Sequence, residues 1–387
     1  MSVEHPLLHL ISVLCLDGAL LGCVYLMIAI VAVRRFPRKR RAPPAALPPV
    51  TVMKPLHGSE PNLPRRLSSF CRQDYGAPVQ IVCGVSDKAD CAVQAVDVAR
   101  THNPTAQISL VADSTEWGSN RKVSNLANML PAAKYDVLVI SDSDIEVDSS
   151  YLANVVAELQ APDVDGVTCL YHGIAGPGRW SRYAALAINS HFLPNVVVAL
   201  TFRLAKPCFG STVALRRNAL TRLGGFRAFA DCLADDYAIG EALRSDGSAV
   251  AVTSFSVGHV CFYERLKALL VHELRMARTI RSIDPVGYAG SVLTHPLPLA
   301  LIAAMLDSGH AIPLAVFALC CRIALCRAVE RSFGLPRHRY WQIPLCDLLA
   351  FTVFVASFFG GSVTWRGHSY RIGADGKLFA DQNGVRP

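Results

Sequence analysis

The chain contains few charged residues. Only 18% of its 387 residues are charged, against roughly 25% in a typical soluble domain. It has 13 cysteines but no paired C-x-x-C units, so zinc ribbons are not expected, and its length excludes a small disulfide scaffold. The hydrophobic share is 52% and the mean hydropathy is +0.32. This composition excludes a disordered or wholly soluble chain. It predicts membrane segments beside one sizeable domain in a reducing compartment.

An apolar run and a basic cluster stand together near the N-terminus. Residues 7–33 carry one charged residue, Asp17. The run exceeds the ~20 residues that a membrane helix needs, so residues 1–33 are assigned to an N-terminal span. Six of the eight residues 34–41 are Lys or Arg. Such a cluster can bind nucleic acid, but beside an apolar run a topogenic signal is favoured, which places the following chain in the cytoplasm. No nucleic-acid partner is expected, and residues 34–49 are assigned to a basic, Pro-rich linker.

Between residues 50 and 261, short apolar runs alternate with helix-like stretches. The expected strands are 50–54, 79–86, 107–111, 136–141, 166–171 and 249–257. The expected helices are 61–73, 90–102, 121–130, 149–160, 178–190 and 236–245. Strands that alternate with helices predict an α/β domain with a mostly parallel sheet covered on both faces.

The C-terminal part is again rich in apolar segments. Residues 262–284 contain a basic amphipathic helix that could lie in a membrane interface or on the surface of the sheet domain. Within 285–365, three apolar segments are expected at 288–306, 311–328 and 343–363. Arg322 and Arg327 interrupt the second segment, which is therefore expected to be shorter.

The arginines around these segments are inconsistent with three full membrane crossings. Arginines between 331 and 339, and basic residues in the tail 366–387, both indicate the cytoplasmic side of a membrane. Three full crossings cannot leave both on the side of the α/β domain. One of the three segments is then re-entrant or interfacial, and the sequence leaves open which.

The most specific local feature is an acidic pair after a hydrophobic strand. In VLVISDSDIEVD, Asp142 and Asp144 follow the strand, and ligands of open α/β sheets bind beyond the carboxyl ends of the strands. Two carboxylates at that position can hold one hard divalent cation together with phosphate oxygens and water. The alternative is a solvated acidic turn.

Two further acidic pairs stand at the ends of predicted elements. Asp87 and Asp90 follow the strand at 79–86 and could face a nucleotide, although a helix N-cap at Asp90 with Asp87 in the turn explains them nearly as well. Asp235 and Asp236 lie at the start of a predicted helix, where acids also suit the helix dipole. A carboxylate there could act as general base on an incoming hydroxyl.

Basic side chains and one histidine complete the candidates. Arg275 and Arg278 lie on one helix face and could neutralise a diphosphate or contact anionic lipid. Lys54 and Lys122 could contact phosphate or nucleotide, or be surface residues. His259 could be a third metal ligand or a structural residue.

With these residues in view, the sequence resembles the membrane-bound, inverting glycosyltransferases related to ceramide glucosyltransferase. Within them it is most similar to the hopanoid-biosynthesis glycosyltransferases of bacteria. The segments that carry the resemblance run in order from about residue 50 to 373: VMKPLHGSEPNL, SFCRQDYGAPVQIVCGVSDKAD, NRKVSNLANMLPAAKYDVLVISDSDI, LADDYAIGEAL, HELRMARTIR and TWRGHSYRIG. The resemblance implies a GT-A fold with N- and C-terminal transmembrane helices. It also implies a multi-pass protein of the bacterial inner membrane, whose catalytic domain at 50–261 is cytoplasmic.

The resemblance also implies roles for individual residues. The residues implied near the nucleotide of the donor are Lys54, Pro55, Leu56, Asp87, Asp90, Lys122 and Asp142. Asp142 and Asp144 would hold a divalent cation, Mg²⁺ or Mn²⁺. Asp236 would be the base. Arg275 and Arg278 match the family's R-x-x-R-W element, which supports the leaving group and the acceptor side.

The implied donor is UDP-N-acetylglucosamine, and the implied acceptor is a membrane lipid, the hopanoid bacteriohopanetetrol. Thr279 stands where the R-x-x-R-W element has Trp, which weakens the expectation of polymer synthesis or of ceramide as acceptor. Asp144 is retained where ceramide enzymes resemble D-x-G. Three alternatives stay open: a ceramide or other lipid glucosyltransferase that uses UDP-glucose, a polyprenyl-phosphate sugar synthase, and a non-catalytic membrane scaffold with a decayed domain.

Overall fold

The computed structural model describes residues 6–36, 42, 46–306 and 311–360, and the backbone of 362–365, 368–372 and 378–380. Residues 38–41 of the basic cluster, residues 43–45 of the linker, and Arg366 and Lys377 of the tail lie outside the described residues.

The described elements agree with the predicted order and add several that were not predicted. The strands are β1 (Val50–Pro55), β2 (Val79–Val85), β3 (Gln107–Ala112), β4 (Val137–Ile140), β5 (Ile145–Glu146), β6 (Val164–Ala175), β7 (Val213–Arg216), β8 (Ala249–Cys261), β9 (Ser362–Trp365), β10 (His368–Ile372) and β11 (Leu378–Ala380). The helices are α1 (Pro6–Arg35), α2 (Leu63–Cys71), α3 (Ala92–His102), α4 (Arg121–Met129), α5 (Tyr151–Leu159), α6 (Arg179–Ala187), α7 (Leu193–Thr201), α8 (Arg217–Arg222), α9 (Asp235–Ser245), α10 (Leu266–Ile283), α11 (Pro285–Gly290), α12 (Pro296–Leu306), α13 (Ile312–Phe333) and α14 (Ile343–Ser357).

The main sheet of the described chain is mixed. Its strand order is β3-β2-β1-β4-β7-β6-β8-β5. The joints β3-β2, β2-β1, β1-β4 and β6-β8 are parallel, as the strand–helix alternation predicts. The joints at β7 and at β5 are antiparallel. β7 was not predicted, because its four residues follow Gly210 and lead directly into α8 without a distinct apolar run. β7 lies beside β4, so the segment before it reaches the carboxyl end of β4.

Helices cover both faces of the sheet, as predicted. Along the central strands alternate side chains point to opposite faces. Val52 and Val139 pack with α2, α3 and α5, whereas Met53 and Ile140 pack with α4 and α9. All four are at most 3% exposed. Strands buried on both faces give the near-continuous apolar runs seen in the sequence.

A second body of the protein consists of apolar helices. Pro6–Arg35, Arg179–Thr201, Ile312–Phe333 and Tyr340–Ser357 are long and apolar enough to cross a membrane, and the pair Pro285–Thr294 and Pro296–Leu306 passes the same test together despite a bend of 67°. α1, α12 and α13 pack on one another, and Gly22 of α1 allows close approach to Pro296. The stretch 179–201 was predicted only in its first half, as a helix of the α/β domain. It connects β6 and β7, which pair with each other in the main sheet.

A π-turn joins α6 to α7 over Ile188–Phe192. Pro194 has no N–H for the carbonyl of Ser190 four residues earlier, and Nη1 of Arg322 donates to that carbonyl instead, at 2.7 Å. Arg322 also donates to both carboxylate oxygens of Asp347, which accepts a further bond from His191 at 2.8 Å. The charge of Arg322 is thus paired inside the helical body, and the expected shortening of the membrane span by Arg322 and Arg327 stays a prediction. α13 continues to Phe333 because the buried charge is paired with α14.

Candidate active site

Buried cations fix the backbone of the turn at Asp142–Asp144. β4 ends at Ile140, and the ammonium of Lys54 donates to the carbonyl of Asp142. Arg66 donates through Nε to the carbonyl of Ser143 at 2.9 Å. The next carbonyl, of Asp144, accepts from the backbone of Val260 on β8 at 2.9 Å. Three successive carbonyls of the turn thus accept hydrogen bonds from other segments of the chain. The two carboxylates of the turn are at the carboxyl edge of the sheet.

Lys54 has a different role from the expected one. Its side chain is fully buried and its ammonium lies 4.1 Å from the ring centroid of Phe70. Burial lowers the pKa of Lys54 to about 8, although Asp144 and Asp142 act to raise it. A fully buried ammonium bonded to Asp142 and Ser141 cannot contact a phosphate in this arrangement. Lys54 is a support for the acidic turn.

Arg66 and Glu60 also support the acidic turn, and neither was predicted from the sequence. Arg66 is 1% exposed and pairs with Glu60 at 2.6 Å, and Glu60 accepts from the hydroxyl of Ser143 at 2.5 Å. A charged residue on α2 resembles any surface residue in sequence. Its role becomes visible only in the structure, because the fold brings Arg66 next to Ser143, which is 77 residues away in sequence.

Replacing Arg66 with Met is expected to loosen the acidic turn and to lower the stability by about 3 kcal/mol, because one partner of a buried pair is removed. The neighbouring Arg65 is the matched control. It is 76% exposed and pairs with Glu146 at the surface, so Arg65→Met should cost less than about 1 kcal/mol. Chemical denaturation of both variants measures the difference. Equal losses would mean that Arg66 does not support the turn.

Asp142, Lys122 and Asp236 converge on Gly210, just before β7. The backbone N–H of Asp142 donates to the carbonyl of Gly210 at 3.3 Å, and the N–H of Gly210 donates to Asp236 at 2.5 Å. A Cβ added at Gly210 would lie 2.7 Å from Asp142 Oδ2, 3.2 Å from Lys122 Nζ and 3.4 Å from Asp236 Oδ2. Groups from three separate stretches of the chain therefore meet at one point.

Gly210→Ala is expected to lower the turnover of a sugar-transfer reaction by about 100-fold, because a displacement of about 1 Å at a reacting centre has effects of that size. Gly76→Ala is the matched control, since a Cβ there meets nothing within 4 Å. Turnover and melting temperature are measured for both variants. Full activity of Gly210→Ala would show that Asp142 and Asp236 need not keep this spacing.

Lys122 pairs with two of the acids. Asn120 is the N-cap of α4, and its side chain accepts from the N–H groups of Lys122 and Val123. This cap places the Lys122 ammonium 2.8 Å from Asp142 and 3.1 Å from Asp235. Burial acts to lower the pKa of Lys122, but the surrounding carboxylates raise it well above its ordinary value. Lys122 is a permanent positive charge in the acidic cluster.

The two acids at the start of α9 have different surroundings. Asp235 is 8% exposed and bonds to Lys122 and to Asn120. Asp236 is half-buried, and it accepts from the N–H of Gly210 and of Tyr237. Burial, and next the charge of Asp235, raise the pKa of Asp236 to about 6. Of the pair, Asp236 is the accessible carboxylate and has a pKa suited to accepting a proton near neutral pH.

Asp144 offers a vacant ligand atom. Its Oδ1 is buried and has no hydrogen-bond partner among the residues that the structure describes. Nδ1 of His259 lies 3.5 Å from it. A buried carboxylate oxygen without a donor is costly, and a hard cation is the partner that such an oxygen accepts readily. The residues present therefore fit a divalent cation, with Asp142 and Asp144 as ligands and His259 beside them.

The residues at the ends of β1 and β2 are mainly structural. Asp90 accepts from Gly58 and from Ala92, so it ties the loop after β1 to the start of α3. Asp87 is exposed and accepts from Ala89 in the turn. Leu56 is 3% exposed and pairs through its N–H with the strand β2. The predicted N-cap at Asp90 is wrong, because Cys91 occupies that position of α3, and a role of Asp90 near a nucleotide stays a prediction.

Pro55, Asp87 and the backbone of residues 54–56 lie at the carboxyl edge of the sheet. That they lie near a nucleoside stays a prediction.

Arg275 and Arg278 share α10 but differ in their contacts. Arg275 is half-buried near His272 at 3.4 Å, and burial lowers its pKa, although Tyr263 and Glu273 act to raise it. Arg278 donates to the carbonyl of Phe359 after α14 at 2.6 Å. Thr279 is 8% exposed and bonds to the carbonyl of Arg275. In this arrangement Arg278 holds the end of α14 against α10.

Comparison with known proteins gives the following. The family model described as Glycosyl transferase family 21 matches residues 14–378. Ceramide glucosyltransferase 1 of Caenorhabditis elegans is 24% identical over 287 residues, which are 71% of this chain and 61% of that protein. Ceramide glucosyltransferase of Gibberella zeae is 30% identical over 177 residues, which are 41% of this chain and 34% of that protein. The matches thus cover less than two thirds of these relatives.

Among solved structures, a mannosyltransferase from Pyrobaculum calidifontis has a similar fold. The match has a TM-score of 0.52 and 21% sequence identity, and it covers 91% of this chain and 99% of that one. That structure was solved in complex with GDP-mannose and Mn²⁺. At this level of identity the likeness bears on the fold alone, which is the expected GT-A type.

Proposed function

The chain belongs to glycosyl transferase family 21, and from that premise we propose that it transfers a sugar from a UDP-sugar to a hydroxyl of a membrane lipid, with inversion at the anomeric carbon. One observation carries the proposal. Asp142, Lys122 and Asp236, from three separate stretches of the chain, meet around Gly210 at the carboxyl edge of the sheet. The names of the relatives support a lipid acceptor.

Asp236 is the proposed general base. Its carboxylate is accessible, and its two backbone donors, Gly210 and Tyr237, hold it in one orientation. It would remove the proton of the acceptor hydroxyl as that oxygen attacks the anomeric carbon from the face opposite UDP. A single displacement gives a β-linked product from an α-linked donor. General-base assistance of this kind contributes about 10²–10⁴-fold in rate.

The leaving diphosphate needs positive charge. Asp142 and Asp144 would hold Mg²⁺ or Mn²⁺, and a bound cation there would neutralise charge on the diphosphate. Lys122, beside Asp142, supplies a further charge from the protein itself. Arg275 and Arg278 are proposed to support the same leaving group and the side on which the acceptor binds. For Arg278 this role requires the release of the Phe359 carbonyl.

The finer assignment of substrates rests on the sequence. We propose N-acetylglucosamine as the sugar and bacteriohopanetetrol as the acceptor, because the segments of the chain resemble the hopanoid enzymes. Thr279 stands in place of the family's Trp, and its hydroxyl donates to the carbonyl of Arg275. The second candidate is a ceramide glucosyltransferase that uses UDP-glucose, which the names of the relatives favour.

A test of acceptors and donors separates the two candidates. Purified full-length protein is incubated with UDP-N-acetylglucosamine or UDP-glucose, and with bacteriohopanetetrol, ceramide or diacylglycerol. Mass spectrometry of the lipids identifies the product, and NMR identifies its anomeric configuration. The hopanoid assignment predicts a β-linked N-acetylglucosaminyl product only with the hopanoid. A product only with ceramide and UDP-glucose would support the second candidate, and an α-linked product would exclude inversion.

For the membrane we propose a multi-pass protein of the bacterial inner membrane with its catalytic domain in the cytoplasm. α14 is the segment that does not cross. Its length would allow a crossing, since Tyr340–Ser357 is long and apolar enough for one, and the proposal rests instead on the contacts at its two ends. Near its start Cys346 contacts Tyr183 of α6, and past its end Phe359 contacts Arg278 of α10. A C-terminal tag should then be reached by reagents only from the cytoplasm. Labelling from the outside would contradict this topology.

A further inference from the structure

A cavity of about 700 Å³ lies apart from the acidic cluster. Its walls are the end of β6, the middle of β8, one side of α6, the end of α13 and the loop that leads to α14. Its volume is that of a small-molecule site. None of the residues so far assigned to catalysis or to the cation lines it.

The cavity is lined by three arginines, Arg182, Arg337 and Arg339. All three are exposed, and within the described residues none of them has a carboxylate at ion-pair distance. The one acid that lines the cavity, Asp148, accepts from the N–H and the hydroxyl of Ser150. Guanidinium groups bind phosphate oxygens in pairs of parallel hydrogen bonds. The cavity is therefore suited to an anion.

β6 separates this cavity from the acidic cluster. His172 lines the cavity, and its Nδ1 lies 2.9 Å from the hydroxyl of Ser256, which also lines it. The ring of the preceding residue, Tyr171, lies 5.5 Å from the ring of His259, which is beside Asp144. Successive side chains of a strand point to opposite faces. A molecule in the cavity would thus lie behind the strand and not in the path of the reaction.

The position of the cavity indicates which anion it takes. It lies at the end of α13, a helix long and apolar enough to cross a membrane. Phe333 and Leu335 line it beside the arginines. Trp341, just after the loop, is 71% exposed, and exposed Trp is typical of the membrane–water interface. Basic pockets between membrane helices on the cytoplasmic side bind the head groups of anionic lipids.

We propose that this cavity binds the phosphate head group of an anionic membrane lipid, through Arg182, Arg337 and Arg339, as a site separate from that of the acceptor. The lipid would tie the loop between α13 and α14 to the edge of the catalytic sheet. The site does not depend on which sugar or acceptor the enzyme uses, although it does require that α13 enters a membrane.

The test uses full-length protein in a neutral detergent, titrated with short-chain phosphatidylglycerol, with the melting temperature as the readout. Short-chain phosphatidylcholine is the neutral control, and glycerol 3-phosphate tests for a free phosphate. We expect stabilisation by phosphatidylglycerol alone and an apparent Kd at least tenfold weaker in the double variant Arg337→Gln, Arg339→Gln. Arg331→Gln is the matched control, because Arg331 is an exposed arginine of the same region that does not line the cavity.

Several results would overturn the proposal. One is an affinity in the double variant within twofold of the parent protein. Another is an equal loss in Arg331→Gln, which would mean a diffuse charge effect. Equal stabilisation by glycerol 3-phosphate would assign the site to a soluble phosphate, and equal stabilisation by phosphatidylcholine would mean that the arginines do not select charge. Should the double variant fail to fold, Arg182→Gln alone, on the opposite wall, is expected to weaken binding at least threefold, and unchanged binding would overturn the proposal.

Discussion

Asp236→Asn is expected to lower kcat by about 10²–10⁴-fold, the contribution of a positioned general base, and to leave the binding of UDP nearly unchanged. The reason is geometric. Asp236 is the accessible acid of the pair at the start of α9, and Gly210 and Tyr237 already hold its carboxylate. Turnover is measured by mass spectrometry of the glycosylated lipid, and UDP binding by thermal stabilisation.

The same residue predicts the acid limb of the pH profile. Burial and Asp235 raise the pKa of Asp236 to about 6, and the base must be deprotonated to act. The rate should therefore be level above pH 7 and should fall about tenfold per pH unit below pH 6. A limb near pH 4, the ordinary range of an aspartate, would mean that the raised pKa does not govern the reaction.

Two controls separate catalysis from structure. In Asp236→Asn the new amide faces two backbone N–H groups, so the folded state is checked by its melting temperature. Asp246→Asn, at the other end of α9 and paired with Arg222, should keep full turnover. If Asp236→Asn folds but no longer binds UDP, Asp236 is a ligand of the donor and not the base.

Local patterns predicted the elements of the α/β domain well. An apolar strand followed by Asp142-Ser143-Asp144 is a local signal, and the structure places that turn at the carboxyl edge of the sheet. The bond from Ala92 to Asp90 is local too, whereas the bond from Gly58 to the same carboxylate spans 32 residues and has no signal in the sequence. The helix predicted at 178–190 continues in the structure to Thr201. The π-turn and Arg322 allow the helix to continue.

What the sequence could not provide is the set of contacts between distant segments. Gly210 has no distinguishing neighbours in sequence, and only the antiparallel β7 brings it between Asp142 and Asp236. Lys54 and Arg66 look like surface residues in a linear sequence, yet both are buried beneath the acidic turn. Such roles arise from residues about 75 to 90 positions apart, and no periodicity of the chain encodes them.

Substitutions at the cation site are expected to have the second large effect, a loss of the stabilisation by UDP that depends on Mn²⁺. With Mn²⁺ present, UDP at 100 times its Kd should stabilise the protein by about 2.7 kcal/mol, and Asp144→Asn should remove most of the part that depends on the cation. The buried Oδ1 of Asp144 has no hydrogen-bond donor among the described residues, so the substitution breaks no hydrogen bond at that atom. The buried Lys54 loses the charge of Asp144, so the basal stability without ligands should fall slightly. Asp142→Asn should remove the same response and also lower that basal stability, because Lys122 loses its partner at 2.8 Å.

Both variants should therefore lose the response to the cation, but Asp142→Asn should lose more basal stability. A non-specific effect of mutation would not give this pattern. Glu146→Gln is the matched control, since Glu146 lies two residues beyond the turn and pairs with the exposed Arg65. It should keep the response to Mn²⁺. If chelation leaves UDP binding unchanged in the parent protein, Asp142 and Asp144 do not hold a cation. The charge on the leaving group would then be neutralised by Lys122, which already lies in the cluster as a fixed ammonium.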